Sequence, residues 1–166
     1  MKKMEKAKFL PLMLAIVTLT ACGSTATQEK IEESDSVRYI TPTVDNGKIS
    51  IDLDTLSEHA LYVNYDSDGI NIQMIAVNAS DGSSRLSLNT CQACNPSPKA
   101  FFMECDGKLV CQNCGNIFTM DSVGIAAGGC NPMNISYEIV NGNLNVNVAD
   151  LDNYADAFSS LDGPVE

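Results

Sequence analysis

Along much of the chain, apolar and polar positions alternate with the two-residue period of a strand. Ile49, Ile51 and Leu53 follow this pattern, as do Ile70, Ile72, Met74 and Ala76, and later Leu144, Val146 and Val148. Each segment is therefore predicted to be a strand with one buried face and one wet face. Five dipeptides punctuate them: Asn46-Gly47, Asp68-Gly69, Asp81-Gly82, Asp106-Gly107 and Asn141-Gly142. Each pair accepts the positive φ angles of a tight hairpin turn, so the strands are expected to join as antiparallel hairpins. Near the end the period lengthens. Leu151, Tyr154, Ala155, Phe158 and Leu161 share one helical face behind Asp150 as a cap, and a second short helix is expected from about Asp54 to Ala60. The predicted fold class is mainly β (α+β).

The amino terminus breaks this pattern. Lys2, Lys3, Lys6 and Lys8 precede an apolar run from Phe9 to Ala21 that is short for a bilayer span but suits a secretory signal. The run closes with Leu19-Thr20-Ala21-Cys22-Gly23, which resembles the lipobox of bacterial lipoproteins. That resemblance implies a signal peptide over 1–21, lipidation of Cys22, and anchorage at the extracytoplasmic face of the cell membrane. An uncleaved anchor helix or an ordinary secretory signal are the alternatives. Residues 22–36 are Ser/Thr/Glu-rich with few apolar positions and read as a flexible tether, leaving 37–166 as the folded domain.

Charge narrows the partners. Ten Lys+Arg against 21 Asp+Glu give the 166-residue chain a net charge of -11, and removing the leader takes it to -14. So acidic a surface repels phosphate backbones, which argues against nucleic acid and for basic partners or metal cations. The length excludes a large multidomain enzyme. A single His and no Trp leave little for imidazole chemistry. His59 lies in Ser57-Glu58-His59-Ala60 and reads as a surface or strand-edge residue. No Ser/His/Asp set forms around it, no Gly loop suits phosphate, and Asp66 and Asp68 flank a turn. No catalytic residue is assigned; the expectation is electron transfer or metal handling rather than substrate turnover.

The chemistry must lie in the cysteines, of which there are seven. Cys91-Gln-Ala-Cys94 is followed, after 16 intervening residues, by Cys111-Gln-Asn-Cys114, a spacing that suits a four-thiolate metal site. Asn95 and Gly115 directly follow the two pairs and tolerate left-handed backbone, which lets each loop fold back and aim amide N–H groups at sulfur. Between these two knuckles Asp106-Gly107 turns the chain, as in a zinc ribbon inserted among the hairpins. Cys130 stands in Gly128-Gly129-Cys130-Asn131-Pro132, which repeats the Cys-Asn-Pro order of Cys94-Asn95-Pro96. It is a candidate cluster ligand, substitute ligand or redox partner. A Cys105–Cys130 disulfide, or three structural disulfides among the six, are the alternatives in an oxidising compartment.

Four thiolates suit zinc, a single iron or an iron-sulfur cluster alike. No His follows either pair, which excludes c-type haem attachment, and one His cannot supply a Rieske centre. Met103, Met120 and Met133 lie near cysteines and are read as core filling in preference to soft copper ligands.

The stretch Leu88-Asn-Thr-Cys91-Gln-Ala-Cys94, then Leu109-Val-Cys111-Gln-Asn-Cys114-Gly115-Asn-Ile-Phe118, then Gly124-Ile125 and Gly128-Gly129-Cys130-Asn131-Pro132 resembles the family called membrane iron-sulfur containing protein, FtrD-like. The likeness covers about Gly47 to Val148. It implies a membrane-associated protein that holds an iron-sulfur centre and serves bacterial iron uptake, passing electrons to iron or copper outside the cytoplasm. The ligands it implies are Cys91, Cys94, Cys111 and Cys114, with Cys130 as an additional cofactor-binding participant. Many relatives are polytopic, whereas here only the lipobox-like segment offers an anchor, so an iron permease or a membrane redox protein is the implied partner. Cys105 has no counterpart in the pattern. A lipoprotein with a purely structural zinc ribbon is the competing reading.

Replacing Cys22 with Ser should release the protein from the membrane fraction and abolish its labelling by fatty acid. Continued lipid labelling of the variant would place the anchor elsewhere.

Overall fold

Strands with short polar turns need a partner sheet to cover each apolar face, and here one central sheet receives cover on both sides. The computed structural model describes residues 38–125 and 127–163. The predicted signal peptide, Cys22, the tether and Val37 lie outside them. The strands are β1 (Arg38–Ile40), β2 (Lys48–Asp52), β3 (Leu61–Ser67), β4 (Ile70–Asn78), β5 (Ser84–Cys91), β6 (Phe102–Cys105), β7 (Lys108–Cys111), β8 (Ile117–Thr119), β9 (Pro132–Met133), β10 (Glu138–Val140) and β11 (Asn143–Asn147). Two short helices follow, α1 (Val148–Asp152) and α2 (Ala155–Phe158).

The central sheet has the order β1-β3-β4-β5-β9, and two three-stranded sheets have the orders β10-β11-β2 and β6-β7-β8. The mainly β, antiparallel prediction holds, with one departure: β1 pairs with β3 in parallel, Arg38 opposite Leu61. Asn46-Gly47, Asp68-Gly69, Asp106-Gly107 and Asn141-Gly142 each place both residues at positive φ. Mirror-image turns of this kind match strand twist, so β3–β4, β6–β7 and β10–β11 close as two-residue hairpins. The β4–β5 connection is longer, and there only Gly82 is left-handed.

Alternate residues of β4 feed two separate cores. Ile72, Met74 and Ala76 join Ile49, Ile51, Leu144, Val146, Leu151 and Phe158 on one side. Ile75 and Val77 join Tyr62, Phe102, Leu109, Cys91 and Cys111 on the other. β4 is thus buried on both faces rather than one, while β2 and β11 keep the predicted alternation. Its polar Gln73 is accommodated by a buried amide chain: Gln73 donates to Asn64 at 2.8 Å and accepts from Asn89 at 2.7 Å.

Three helical expectations need correction. The segment 54–60 forms only a 3-10 turn at Leu53–Thr55 with Asp52 as its cap, because Leu56 and Ala60 are drawn into different cores. The terminal helix is split in two at Asn153-Tyr154, and it starts earlier than predicted, after Asn147. Asp150 therefore lies in the first turn rather than at the cap, where its carboxylate still suits the helix amino end.

Two contacts fix the insertion to the sheet. Asn89 acts as a substitute strand edge, accepting from the Phe102 N–H at 2.8 Å and donating to the Phe102 carbonyl at 3.2 Å. On the other side of the insertion, Arg85 of β5 donates to the Asp121 carbonyl and pairs with Asp81 at 2.6 Å, while Asp121 accepts from the Ser80 N–H at 2.7 Å. The loop that follows presses onto β5 at Gly124, where an added Cβ would stand 2.6 Å from the Leu86 carbonyl oxygen.

Gly124 also sits at φ +69. Gly124→Ala should therefore lower stability by about 1–3 kcal/mol through strain and forced displacement of the loop. A denaturant midpoint unchanged from the parent would show that the loop is not held against β5.

Candidate metal centre

The two knuckles sit at strand ends, where the ladder stops and backbone N–H groups become available to sulfur. Cys91 is the last residue of β5 and Cys111 the last of β7. After Cys91 the chain turns back, with the Cys94 and Asn95 N–H groups donating to the Cys91 carbonyl at 3.2 and 3.0 Å. After Cys111 the Gly115 N–H donates to the Cys111 carbonyl at 2.8 Å, with Gly115 at φ +73. The predicted left-handed residue is thus present in the second knuckle; in the first, Asn95 is not at positive φ. Its side chain instead donates to Thr90 Oγ1 at 3.0 Å and to the Ala157 carbonyl at 2.5 Å, anchoring the loop to β5 and α2. The Ser97 hydroxyl donates to Asn113 at 2.6 Å and ties one knuckle to the other.

The four knuckle cysteines and Cys130 come together as two overlapping groups. The sulfurs of Cys91, Cys94 and Cys130 lie within 4.8 Å of one another, and so do those of Cys94, Cys111 and Cys114. The Cys94 and Cys111 sulfurs are 3.9 Å apart. Cys105 and Cys130 are not joined as a disulfide, nor are the described cysteines paired into three cystines. The reason is position: Cys105 ends β6 at the Asp106-Gly107 turn, opposite Lys108, whereas Phe102 at the other end of that strand faces Cys111. Three residues of strand put about 10 Å between those two ends.

Cys91 and Cys111 are fully buried, Cys94 and Cys130 are half-buried, and Cys114 is exposed. Burial pushes the thiol pKa values of Cys91 and Cys111 up. Backbone N–H groups of Cys94 and Ala93 at Cys91, and of Cys114 and Asn113 at Cys111, oppose that rise by stabilising the anion. The Asn116 N–H pulls Cys114 below the ordinary thiol range. Its hydrogen bond to Cys114 pushes Cys130 up. The cluster therefore has a buried inner wall, where the thiol pKa is raised, and an exposed outer edge at Cys114, where it is lowered.

Sequence reading missed the device that delivers Cys130. The Gln92 N–H donates to the Asn131 carbonyl at 3.0 Å and its side-chain NH2 to the Pro132 carbonyl at 3.0 Å, while its side-chain oxygen accepts from the Gly128 N–H at 2.8 Å. A Gln inside a Cys-pair loop carries no sequence signal for such a clamp. His59 lies outside both sulfur groups; its Nδ1 stands 2.6 Å from Glu104, whose other oxygen accepts from the Ala60 N–H at 2.7 Å. Met120 is buried in the core beside the knuckles and Met133 packs on the opposite core.

The family model described as membrane iron-sulfur containing protein, FtrD-like, matches residues 56–158, a span that holds both knuckles and Cys130. The chain belongs to that family. Neither a curated protein nor a solved structure gives a match. The name of the FtrD-like family carries membrane association and an iron-sulfur centre, and the cysteine groups are able to hold a metal ion. Among the described residues no helix of this FtrD-like chain is long and apolar enough to cross a membrane.

In reduced, metal-free protein, Cys114 should alkylate first with iodoacetamide, and Cys91 and Cys111 about tenfold more slowly or less, because the thiolate is the reactive form and both inner thiols are buried. Peptide mapping after timed quenching reads this order. Equal rates at Cys91 and Cys114 would contradict the described wall and edge.

Proposed function

We propose that this FtrD-like protein is a lipid-anchored redox module on the extracytoplasmic face of the membrane, holding an iron-sulfur centre or a single iron and serving metal-ion uptake. The observation that carries the reading is the sulfur cluster itself. Five cysteines converge, and no nitrogen or carboxylate ligand joins either group among the described residues. All-sulfur donor sets suit iron in clusters, mononuclear iron and zinc, and so fit the centre named by the family.

Cys91, Cys94, Cys111 and Cys114 would hold the metal, with Cys130 close enough to join them. An iron centre bound there supplies a reversible one-electron couple. The fold's contribution is electrostatic and steric. The N–H groups of Ala93, Cys94, Asn113 and Cys114 offset negative charge on the two inner sulfurs, which eases reduction of whatever they ligate. Phe102, Leu109 and Tyr62 wall the buried sulfurs off from water. Cys114 presents the open edge, the shortest route for an electron to a partner such as a membrane redox protein or an iron permease. The acidic chain attracts cations, including the iron to be transported.

A structural zinc site is the competing function, and one distance suits zinc as well as iron. Four sulfurs about 2.3 Å from one tetrahedral ion lie about 3.8 Å apart, close to the 3.9 Å between Cys94 and Cys111. Anaerobic purification of the full chain in detergent, followed by elemental analysis and a visible spectrum, separates the two. Iron with charge-transfer absorption that bleaches on reduction is expected; a colourless zinc protein would overturn the redox reading. Cys111→Ser should retain less metal than the parent and Cys105→Ser as much as the parent. Equal loss from both variants would refute the ligand assignment.

A further inference from the structure

The five sulfurs do not form one set of four plus a bystander. They form two triangles that share a corner. Each triangle contains one complete Cys pair and a third sulfur: Cys91 and Cys94 with Cys130, and Cys111 and Cys114 with Cys94. A single tetrahedral ion requires four sulfurs, every pair about 3.8 Å apart. Among the described residues no four cysteines lie mutually within even 4.8 Å.

We infer that the cluster is built for two metal ions, one at Cys94, Cys111 and Cys114 and a second at Cys91, Cys94 and Cys130, with the Cys94 thiolate shared between them. The inference rests on the reading that these cysteines ligate metal, and goes beyond it in stoichiometry and in the role of Cys130.

Cys130 is placed by construction. Gln92, inside the first knuckle, holds the loop on both sides of it through the Gly128 N–H at 2.8 Å, the Asn131 carbonyl at 3.0 Å and the Pro132 carbonyl at 3.0 Å. The Asn131 side chain donates to the Gly128 carbonyl at 2.5 Å and closes the loop on itself. Gly128 and Gly129 sit at φ +79 and +69, a backbone that other residues adopt only with strain. The bulge between Leu88 and Cys91 sets Cys91 opposite Pro132, which brings the loop alongside the first pair.

Charge favours the same count. Five thiolates around one divalent ion leave about three uncompensated negative charges in a half-buried patch of an already acidic protein, whereas two divalent ions leave about one. The ions admitted are soft or borderline cations that prefer thiolate, such as iron, zinc, cadmium or cuprous copper. Three protein sulfurs per ion leave one tetrahedral position on each for a small exogenous donor, for which inorganic sulfide has the right softness.

Cadmium is the probe. Metal-free, reduced full chain in detergent is titrated with Cd(II) under argon, following sulfur-to-cadmium absorption and intact mass. Two Cd per chain are expected, with spin coupling between the two 113Cd signals through the shared sulfur. Cys130→Ser should bind one Cd, and Gln92→Ala should bind the second Cd about tenfold more weakly while leaving the first unchanged. Circular dichroism matching the parent establishes that each variant is folded. One Cd per chain in the parent, or two retained by folded Cys130→Ser, would overturn the two-ion inference and leave the metal-site reading standing. Absence of any Cd binding would overturn both.

Discussion

Everything in the site follows from an electrostatic conflict. Five thiols are packed within a few ångströms, two of them fully buried, and sulfur anions at that spacing repel strongly where little water reaches them. Burial raises the thiol pKa of the inner pair, Cys91 and Cys111, and so favours their protonated form where no cation is bound. A bound cation resolves the conflict by neutralising the anions. The N–H groups aimed at the same two sulfurs serve only the second solution, since they stabilise a thiolate and gain little from a thiol. Such a backbone suits a deprotonated, cation-bearing state, and under the proposed function metal binding and the final packing of the insertion are linked.

That requirement explains why the central sheet is covered on both faces. A knuckle can point its N–H groups at sulfur only if its strand is held still, and strands of three or four residues such as β6, β7 and β8 are too short to be stable alone. They borrow rigidity from β5. Asn89 offers Phe102 the donor and acceptor of a missing strand, the Cys91 N–H and the Thr90 hydroxyl both donate to the Ala100 carbonyl, and Phe102 and Phe118 pack edge to face at 5.6 Å. Tyr62 closes the arrangement from β3, accepting the Glu104 N–H at 2.9 Å. The polar residues at the heart of this contact, Asn64, Gln73 and Asn89, are almost wholly buried. Their cost is offset by hydrogen bonds among themselves and, through Asn89, to Phe102 of the insertion.

The parts of this architecture that were legible in sequence are the local ones. Four of the five Asn-Gly and Asp-Gly pairs hold positive φ at both residues, so those turns could be read, and the spacing of the two Cys pairs marks the knuckles. What was hidden depends on distant partners. The double burial of β4 follows from a second sheet that alternation alone does not announce, and the parallel pairing of β1 has no local signature. The helix expected over 54–60 fails because tertiary packing pulls Leu56 and Ala60 apart, outweighing a weak helical pattern. Cys130 was visible as a ligand-like residue through its repeated Cys-Asn-Pro, yet its neighbours could not be chosen, because the Gln92 clamp that chooses them spans 36 residues.

The distribution of cavities bears on what the centre exchanges. One cleft is lined by Ser57, His59, Asn78, Gly82, Met120 and Asp121, and a smaller one by Asn71, Gln73, Asn89, Phe158 and Leu161. Neither contains any of the five clustered cysteines. The sulfurs instead grade from buried Cys91 and Cys111 through half-buried Cys94 and Cys130 to exposed Cys114. A graded exposure of this kind suits the passage of electrons or ions proposed above, and it leaves Cys114 and its flanking backbone as the accessible edge of the cluster.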